Sequence, residues 1–240
     1  MSARPDELGG LAARFDLSPA ATRQLSTLLD LLERDPQAPT SVTARQAALD
    51  VHIADSLVAL ELAVVRGAHQ IADVGSGAGF PGLVLAVALP RAQVRLVESS
   101  GRKCRFLADA LTEAEIRNAG VVCARAEEWS QGRESCDLVT ARAVGPLAVI
   151  LEYAAPLLRL GGSLVAWKGR REAGEERDAA EAAEALGLEL VGLVSVQPYA
   201  GSRDRHLHVF RKSAPTPARF PRRAGMARKR SLRASSEERS

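Results

Sequence analysis

Apolar positions along the chain change their period at about residue 70. Before that point Leu25, Leu28, Leu29 and Leu32 recur at three- and four-residue intervals, the spacing of one helix face. Ser18-Pro19 supplies an N-cap and a first-turn proline ahead of them. Asp35-Pro36-Gln37-Ala38-Pro39-Thr40 ends that helix, and a second helical pattern runs from about 46 to 65. Beyond it, short apolar runs at 71–74, 94–97, 121–124, 138–141 and 163–167 alternate with helical stretches at 82–89, 102–114, 147–158 and 171–186. Such alternation predicts a parallel sheet with helices on both faces. Two final runs, 188–196 and 206–211, are joined by a loop at 197–205 that contains no helix. They predict a terminal hairpin, with the last strand antiparallel to its neighbour. The expected class is α/β, with a mostly parallel seven-stranded sheet. A helical extension over 1–66 is expected to pack outside the core, followed by the sheet domain over 67–212 and a tail over 213–240.

The first strand and first crossover helix are joined by Asp73-Val74-Gly75-Ser76-Gly77-Ala78-Gly79-Phe80-Pro81-Gly82. Glycines let backbone N–H groups approach a ligand, because no Cβ intervenes and φ > 0 is tolerated. Glu98 ends the next strand, 23 positions beyond Gly75, where a carboxylate can accept hydrogen bonds from both ribose hydroxyls. Together these features predict a nucleoside cofactor. The spacing is G-x-G-x-G, with Phe80 where a dinucleotide fingerprint has its third glycine. Pro81, expected at the first helical position, removes an amide that a diphosphate would use. S-adenosylmethionine carries no phosphate, and Asp73 suits its cationic ammonium and sulfonium. A sheet that closes on a hairpin and lacks a second mononucleotide-binding half is the methyltransferase variant of the doubly wound fold. The expectation is a class I S-adenosylmethionine-dependent, Rossmann-like domain with Asp73, Gly75, Gly77, Phe80 and Glu98 at the cofactor.

Composition narrows the setting. The chain has 240 residues, 46% of them hydrophobic, which suffices for a substantial core. No apolar run approaches the roughly 20 residues of a membrane span, and no apolar stretch follows the N-terminus as in a secretory signal. Cys104, Cys123 and Cys136 show neither C-x-x-C nor metal-ligand spacing, so they read as reduced, buried cysteines of a cytoplasmic protein. Among four histidines only His206 and His208 lie close together, and no third ligand accompanies them, so no metal is expected. The net charge of +3 hides an asymmetry: residues 213–240 hold eight Arg or Lys and two acids, the rest 24 basic and 27 acidic groups. That tail is rich in Ser and Pro and poor in aliphatic residues, is expected to be disordered when free, and is a plausible tether to a phosphate backbone.

One series of residues carries a more specific resemblance. His52-Ile53-Ala54-Asp55-Ser56-Leu57 precedes the glycine loop. After the loop come Arg102-Lys103-Cys104-Arg105-Phe106-Leu107, Arg125-Ala126-Glu127-Glu128, Thr140-Ala141-Arg142-Ala143, Ala166-Trp167-Lys168-Gly169 and Arg205-His206-Leu207. In this order, over about residues 40–212, the chain resembles the bacterial 16S ribosomal RNA guanine-N7 methyltransferases, the glucose-inhibited division protein B family. The resemblance implies methyl transfer from S-adenosylmethionine to N7 of a guanosine in the 530 loop of 16S rRNA. The partner would be the RNA or the 30S subunit, with no protein partner evident and a monomer expected. It assigns Gly75 and Phe80 to the methionine part of the cofactor, Glu98 to the ribose, and Ala126 and Glu127 to the adenine. Arg142 would serve cofactor and target base, with His52, Asp55 and Ser56 lining the target pocket. Lys168 and Arg205 are candidate RNA contacts. The family's Asn-Leu-Thr before the His-x-x-Asp-Ser element appears here as Thr40-Ser41-Val42-Thr43, which leaves the role of Thr43 open.

The residue inventory suits such chemistry. Guanine N7 has an in-plane lone pair and no proton, so attack on a sulfonium methyl requires alignment and not a general base. None of the three cysteines has the Pro-Cys context of a cytosine-C5 methyltransferase. The Asp/Asn-Pro-Pro-aromatic motif of amino-group enzymes is replaced by Thr140-Ala141-Arg142-Ala143-Val144-Gly145-Pro146. A methyltransferase on another RNA or on a small molecule remains an alternative at this stage, as does a non-catalytic RNA-binding assembly factor.

Overall fold

The structure, a computed structural model, describes residues 7–232. Seven strands form one sheet: β1 (Gln70–Val74), β2 (Gln93–Glu98), β3 (Ala119–Cys123), β4 (Cys136–Arg142), β5 (Leu158–Lys168), β6 (Leu188–Ser195) and β7 (His206–Lys212). Their order is β3-β2-β1-β4-β5-β7-β6. The first five are parallel to one another, and β7 inserts between β5 and β6, antiparallel to both. The expected sheet and terminal hairpin are present.

The period of two along each strand divides the core. Ile71, Leu138, Val165 and Leu207 face one side, while Ala72, Val139, Ala166 and Phe210 face the other. The second side is covered by α8 (Leu147–Ala154) and α9 (Ala173–Leu186). The first is covered by α6 (Gly82–Ala88), α7 (Gly101–Glu113) and the N-terminal helices α1 (Glu7–Arg14) and α2 (Pro19–Arg34). Here the expectation of an extension outside the core is corrected. Leu25, Leu28, Leu29 and Leu32 are at most 2% exposed and belong to the same cluster as Leu83, Leu85 and Leu107. A stripe of four leucines has to be buried, and α6 and α7 offer the apolar surface for it. Ser18 caps α2 as expected, its Oγ accepting the Ala21 N–H at 3.1 Å.

The second helical pattern breaks into short pieces. They are α3 (Arg45–Ala48), a π-helical segment (Leu49–Ala54), α4 (Asp55–Leu57), a 3₁₀ turn (Val58–Glu61) and α5 (Ala63–Arg66). The helix expected over 147–158 stops at Ala154, and Pro156 separates it from β5. Pro81 is the N-cap of α6, one position before its expected place.

Two further expectations are overturned. Cys104 and Cys123 are joined in a disulfide, and only Cys136 is a free, buried thiol. The start of α7 lies beside the end of β3 and brings their Cα atoms to 5.8 Å, a proximity that a separation of 19 residues does not announce. The tail expected to be disordered is packed through residue 232, with a short helix α10 (Met226–Lys229). Phe220 and Ala227 sit in the second core at 4% and 1% exposure. Arg222 meets buried Glu152 through two bonds, Nε to Oε1 at 2.8 Å and Nη2 to Oε2 at 2.5 Å. Residues 233–240 lie outside the described part. No helix among the described residues is long and apolar enough to cross a membrane.

Candidate active site

The carboxyl ends of β1, β2 and β4 carry one cavity, and the carboxyl ends of β4 and β5 with the amino end of the antiparallel β7 a second, at the edge of the sheet where open parallel sheets bind ligands. The first, of about 350 Å³, is bordered by Gly75, Glu98, the stretch Ala124-Arg125-Ala126-Glu127, Ala143 and Val144, with Tyr153 and Arg228 closing its side. The second, of about 200 Å³, is bordered by Asp55, Arg142, Ala143, Gly145, Trp167, Lys168, Arg205 and His206. Ala143 borders both. It has φ +57°, an uncommon conformation for a residue with a Cβ and one that concentrates at functional sites.

In the first cavity, Glu98 is the organising group. Its Oε2 accepts the Gly77 N–H at 3.0 Å, and Oε1 accepts those of Ser99 and Ser100 at 2.8 and 2.9 Å. A carboxylate has about four acceptor directions, so one remains for a ribose hydroxyl. Gly75 has φ +69°, and a Cβ there would lie 2.8 Å from Val144 Cγ2. A side chain at Gly75 would narrow the cavity where the loop faces Val144. These features, an acid at the end of β2 and a loop without side chains, fit an adenosyl cofactor.

Asp73 does something other than expected. At 1% exposure it is turned inward, Oδ2 accepting the Gly82 N–H at 3.2 Å and Oδ1 the Thr140 hydroxyl at 2.8 Å. Strand register explains it, since Asp73 and Thr140 are partners across β1 and β4. Burial raises its pKa to about 6, against the lowering effect of these hydrogen bonds. Asp73 fixes the start of α6 and does not present a charge to a sulfonium. Phe80, expected beside the methionine part of the cofactor, lies face to face with His52, ring centroids 4.5 Å apart and planes at 6°. Glu127 borders the cavity but is engaged, its Oε1 accepting the Gly225 N–H at 2.9 Å.

The second cavity is assembled by register. Arg142 pairs with Trp167, Trp167 with Leu207 and Lys168 with His206, so the ends of β4, β5 and β7 stand side by side. The π-helical segment lies over them. Arg142 donates through Nη1 to Asp55 Oδ2 at 2.8 Å and to the Val51 carbonyl at 2.7 Å. Its Nη2 donates to His52 Nδ1 at 3.2 Å. His52 Nε2 lies 3.1 Å from the Val42 carbonyl and from Thr40 Oγ1. A carbonyl can only accept, so the proton is assigned to Nε2. Burial, and secondarily the Arg142 charge, lower the His52 pKa to about 4. His52 is therefore neutral at physiological pH and positions Arg142 and Phe80. Trp167 Nε1 donates to the Asp55 carbonyl at 2.8 Å, and Arg205 Nε stands 3.7 Å from Asp55 Oδ1.

Two expected residues take other roles. Ser56 is fully buried and donates to the His52 carbonyl of its own turn at 2.6 Å, so it does not line the pocket. Lys168 borders the cavity, but its charge is matched by Glu175 at 2.6 Å, which weakens it as a phosphate contact. Thr40, Tyr153, Gly225 and Arg228 were absent from the expected site. Only Thr40 had a signal, the departure from the family pattern around it.

The comparisons with known proteins agree with this geometry. The family model described as GidB, rRNA small subunit methyltransferase G, matches residues 23–207. A ribosomal RNA small subunit methyltransferase G of Syntrophomonas wolfei is 40% identical over 186 residues, covering 77% of this chain and 86% of that protein. One of Rubrobacter xylanophilus is 42% identical over 188 residues, 76% of this chain and 72% of that protein. Among solved structures, Aeropyrum pernix fibrillarin in complex with S-adenosyl-L-methionine superposes with a TM-score of 0.51 at 21% identity, covering 65% of this chain and 72% of that one. The chain belongs to the rRNA small subunit methyltransferase G family, S-adenosylmethionine-dependent enzymes of the class I methyltransferase fold.

Proposed function

We propose that this protein transfers a methyl group to N7 of a guanosine in the 530 loop of 16S rRNA, with the 30S particle or its RNA as partner. The carrying observation is the junction of the two cavities at Ala143, which sets a nucleoside-cofactor site directly beside a base-sized one. When bound, S-adenosylmethionine supplies a methyl group on a positively charged sulfur, which leaves as a neutral thioether. Glu98 holds the ribose, and the Gly75 loop gives the backbone access to the remainder. Arg142 and Arg205 flank the base cavity, where a guanidinium can donate to O6 of guanine. Arg142 is locked there by Asp55, His52 and the Val51 carbonyl.

No residue has to remove a proton, because N7 carries none. Positive charge passes from sulfur to the purine as the bond forms, so the reaction asks for alignment and exclusion of water, not for a base. Neutral His52 is consistent with a positioning role. The test is methylation of 16S rRNA from a strain lacking the gene, using purified protein and labelled S-adenosylmethionine, followed by borohydride and aniline scission. Incorporation with scission at one guanosine of the 530 loop is expected. Incorporation without scission would exclude N7. No incorporation into either RNA or 30S particles would leave a non-catalytic assembly role.

A further inference from the structure

The family match ends at residue 207, yet the chain continues across the molecule to the cofactor cavity. The route is pinned at intervals. Ser213 and Ala214 donate their N–H groups to the Gly187 carbonyl at 3.0 and 3.1 Å. Thr216 Oγ1 donates to the carbonyls of Ala155 and Leu186. Phe220 then enters the core, and Arg222 pairs with Glu152 of α8. At the far end the Gly225 N–H holds Glu127, and Arg228 Nη2 donates to the Val144 carbonyl at 3.1 Å. Arg228 and Tyr153 both border the cavity.

We propose that residues 213–230 form a strap that completes the cofactor site, and that Arg228 is a further cofactor-binding residue that takes the adenosine moiety. The inference rests on the first cavity being the cofactor's seat. Adenosine is uncharged, so Arg228 acts through its planar guanidinium, which stacks on the purine face. The strap joins the two loops that flank the cavity, at Glu127 after β3 and at Val144 after β4. It thereby fixes the width of the slot between them. A general phosphate tether would have no reason to anchor one arginine to the Val144 carbonyl on the cavity wall.

The experiment compares wild type, Arg228→Ala, Arg228→Lys and Glu98→Gln. S-adenosylmethionine binding is measured by calorimetry, and 16S rRNA binding by filter retention at two salt concentrations. Arg228 is exposed, so its replacement leaves the fold intact. Both Arg228 variants are expected to bind S-adenosylmethionine about tenfold more weakly, because lysine lacks the plane. Their RNA affinity should keep the wild-type salt dependence. Wild-type cofactor affinity in Arg228→Ala, with weaker RNA binding and a flatter salt dependence, would overturn the strap in favour of a phosphate contact. Loss of cofactor affinity in Glu98→Gln but not in Arg228→Ala would refute the strap alone. Undiminished affinity in both would refute the placement of the cofactor in this cavity.

Discussion

Replacing Arg142 with methionine tests how far the site is also a structural joint. The guanidinium satisfies Asp55, the Val51 carbonyl and His52 at once, with side-chain exposures of 16% for Arg142 and 7% for Asp55. Methionine keeps most of the volume and removes the charge. Asp55 is then left buried with Arg205 at 3.7 Å as its nearest cation, beyond hydrogen-bond reach. Removing one partner of a buried pair costs about 3–5 kcal/mol, because the other charge stays desolvated. For a chain of this size each kcal/mol moves Tm by about 2–4 °C, so a drop of about 6–20 °C is expected. The assay is thermal denaturation by circular dichroism, with activity measured in parallel. Adding Asp55→Asn removes the stranded charge and should recover more than half of the loss. A Tm for Arg142→Met within about 3 °C of wild type, or no recovery in the double variant, would refute the reasoning.

His52 has its pKa lowered from 6.5 to about 4, so the unfolded chain binds more protons across that window. The stability it contributes is full above pH 6.5 and is lost as pH falls toward 4. Asp73, raised from 3.8 to about 6, works in the opposite sense, contributing stability below 3.8 that is lost as pH rises through 6. The two offset each other in wild type, so His52→Gln isolates the first: between pH 7 and 5 it should gain roughly 2 kcal/mol relative to wild type in urea melts. A difference independent of pH would count against the buried neutral imidazole. Turnover at saturating substrates should be flat between about pH 6.5 and 8.5, since no general base titrates; a single-proton rise across that range would point to one. Gly82→Ala places a Cβ 2.8 Å from Asp73 Oδ2 and should lower stability by about 1–3 kcal/mol; an unchanged urea midpoint would contradict the tight packing of the loop.

The sheet was legible because its central strands are short continuous apolar runs, buried on both faces as the neighbours Ile71 and Ala72 are, and separated by helical stretches. The cofactor half was legible for a similar reason: Gly75 and Glu98 belong to consecutive elements whose spacing is set by one crossover. The other half is not local. Asp55 and Arg142 meet across 87 residues, and no pattern of periodicity or charge brings them together. They were found by resemblance, which gave identities and not geometry, so the inward turn of Ser56 was missed; Asp73 was placed by its charge alone, which does not say which way a strand residue faces. The strap was misread because Arg, Ala and Pro dominate its composition. Two apolar anchors, Phe220 and Ala227, and one buried ion pair hold it, too few to register in an average. The destination of the α2 leucines was likewise invisible, since periodicity specifies that a face is buried but not against what.

The long separations around Asp55 also order events during synthesis. Asp55 meets Arg142 87 residues later and Trp167 112 residues later. At about 5–20 residues per second, roughly 4–17 s pass between the emergence of Asp55 and that of Arg142. Throughout that interval the N-terminal helices carry a carboxylate that the finished protein buries, and no counter-ion has yet been made for it. They can form their local turns but cannot settle into their final position against a sheet that does not exist. An incomplete chain halted before β4 therefore has the helices and the glycine loop without a base pocket, and its catalytic competence is gated by translation of β4 and the strands that follow it.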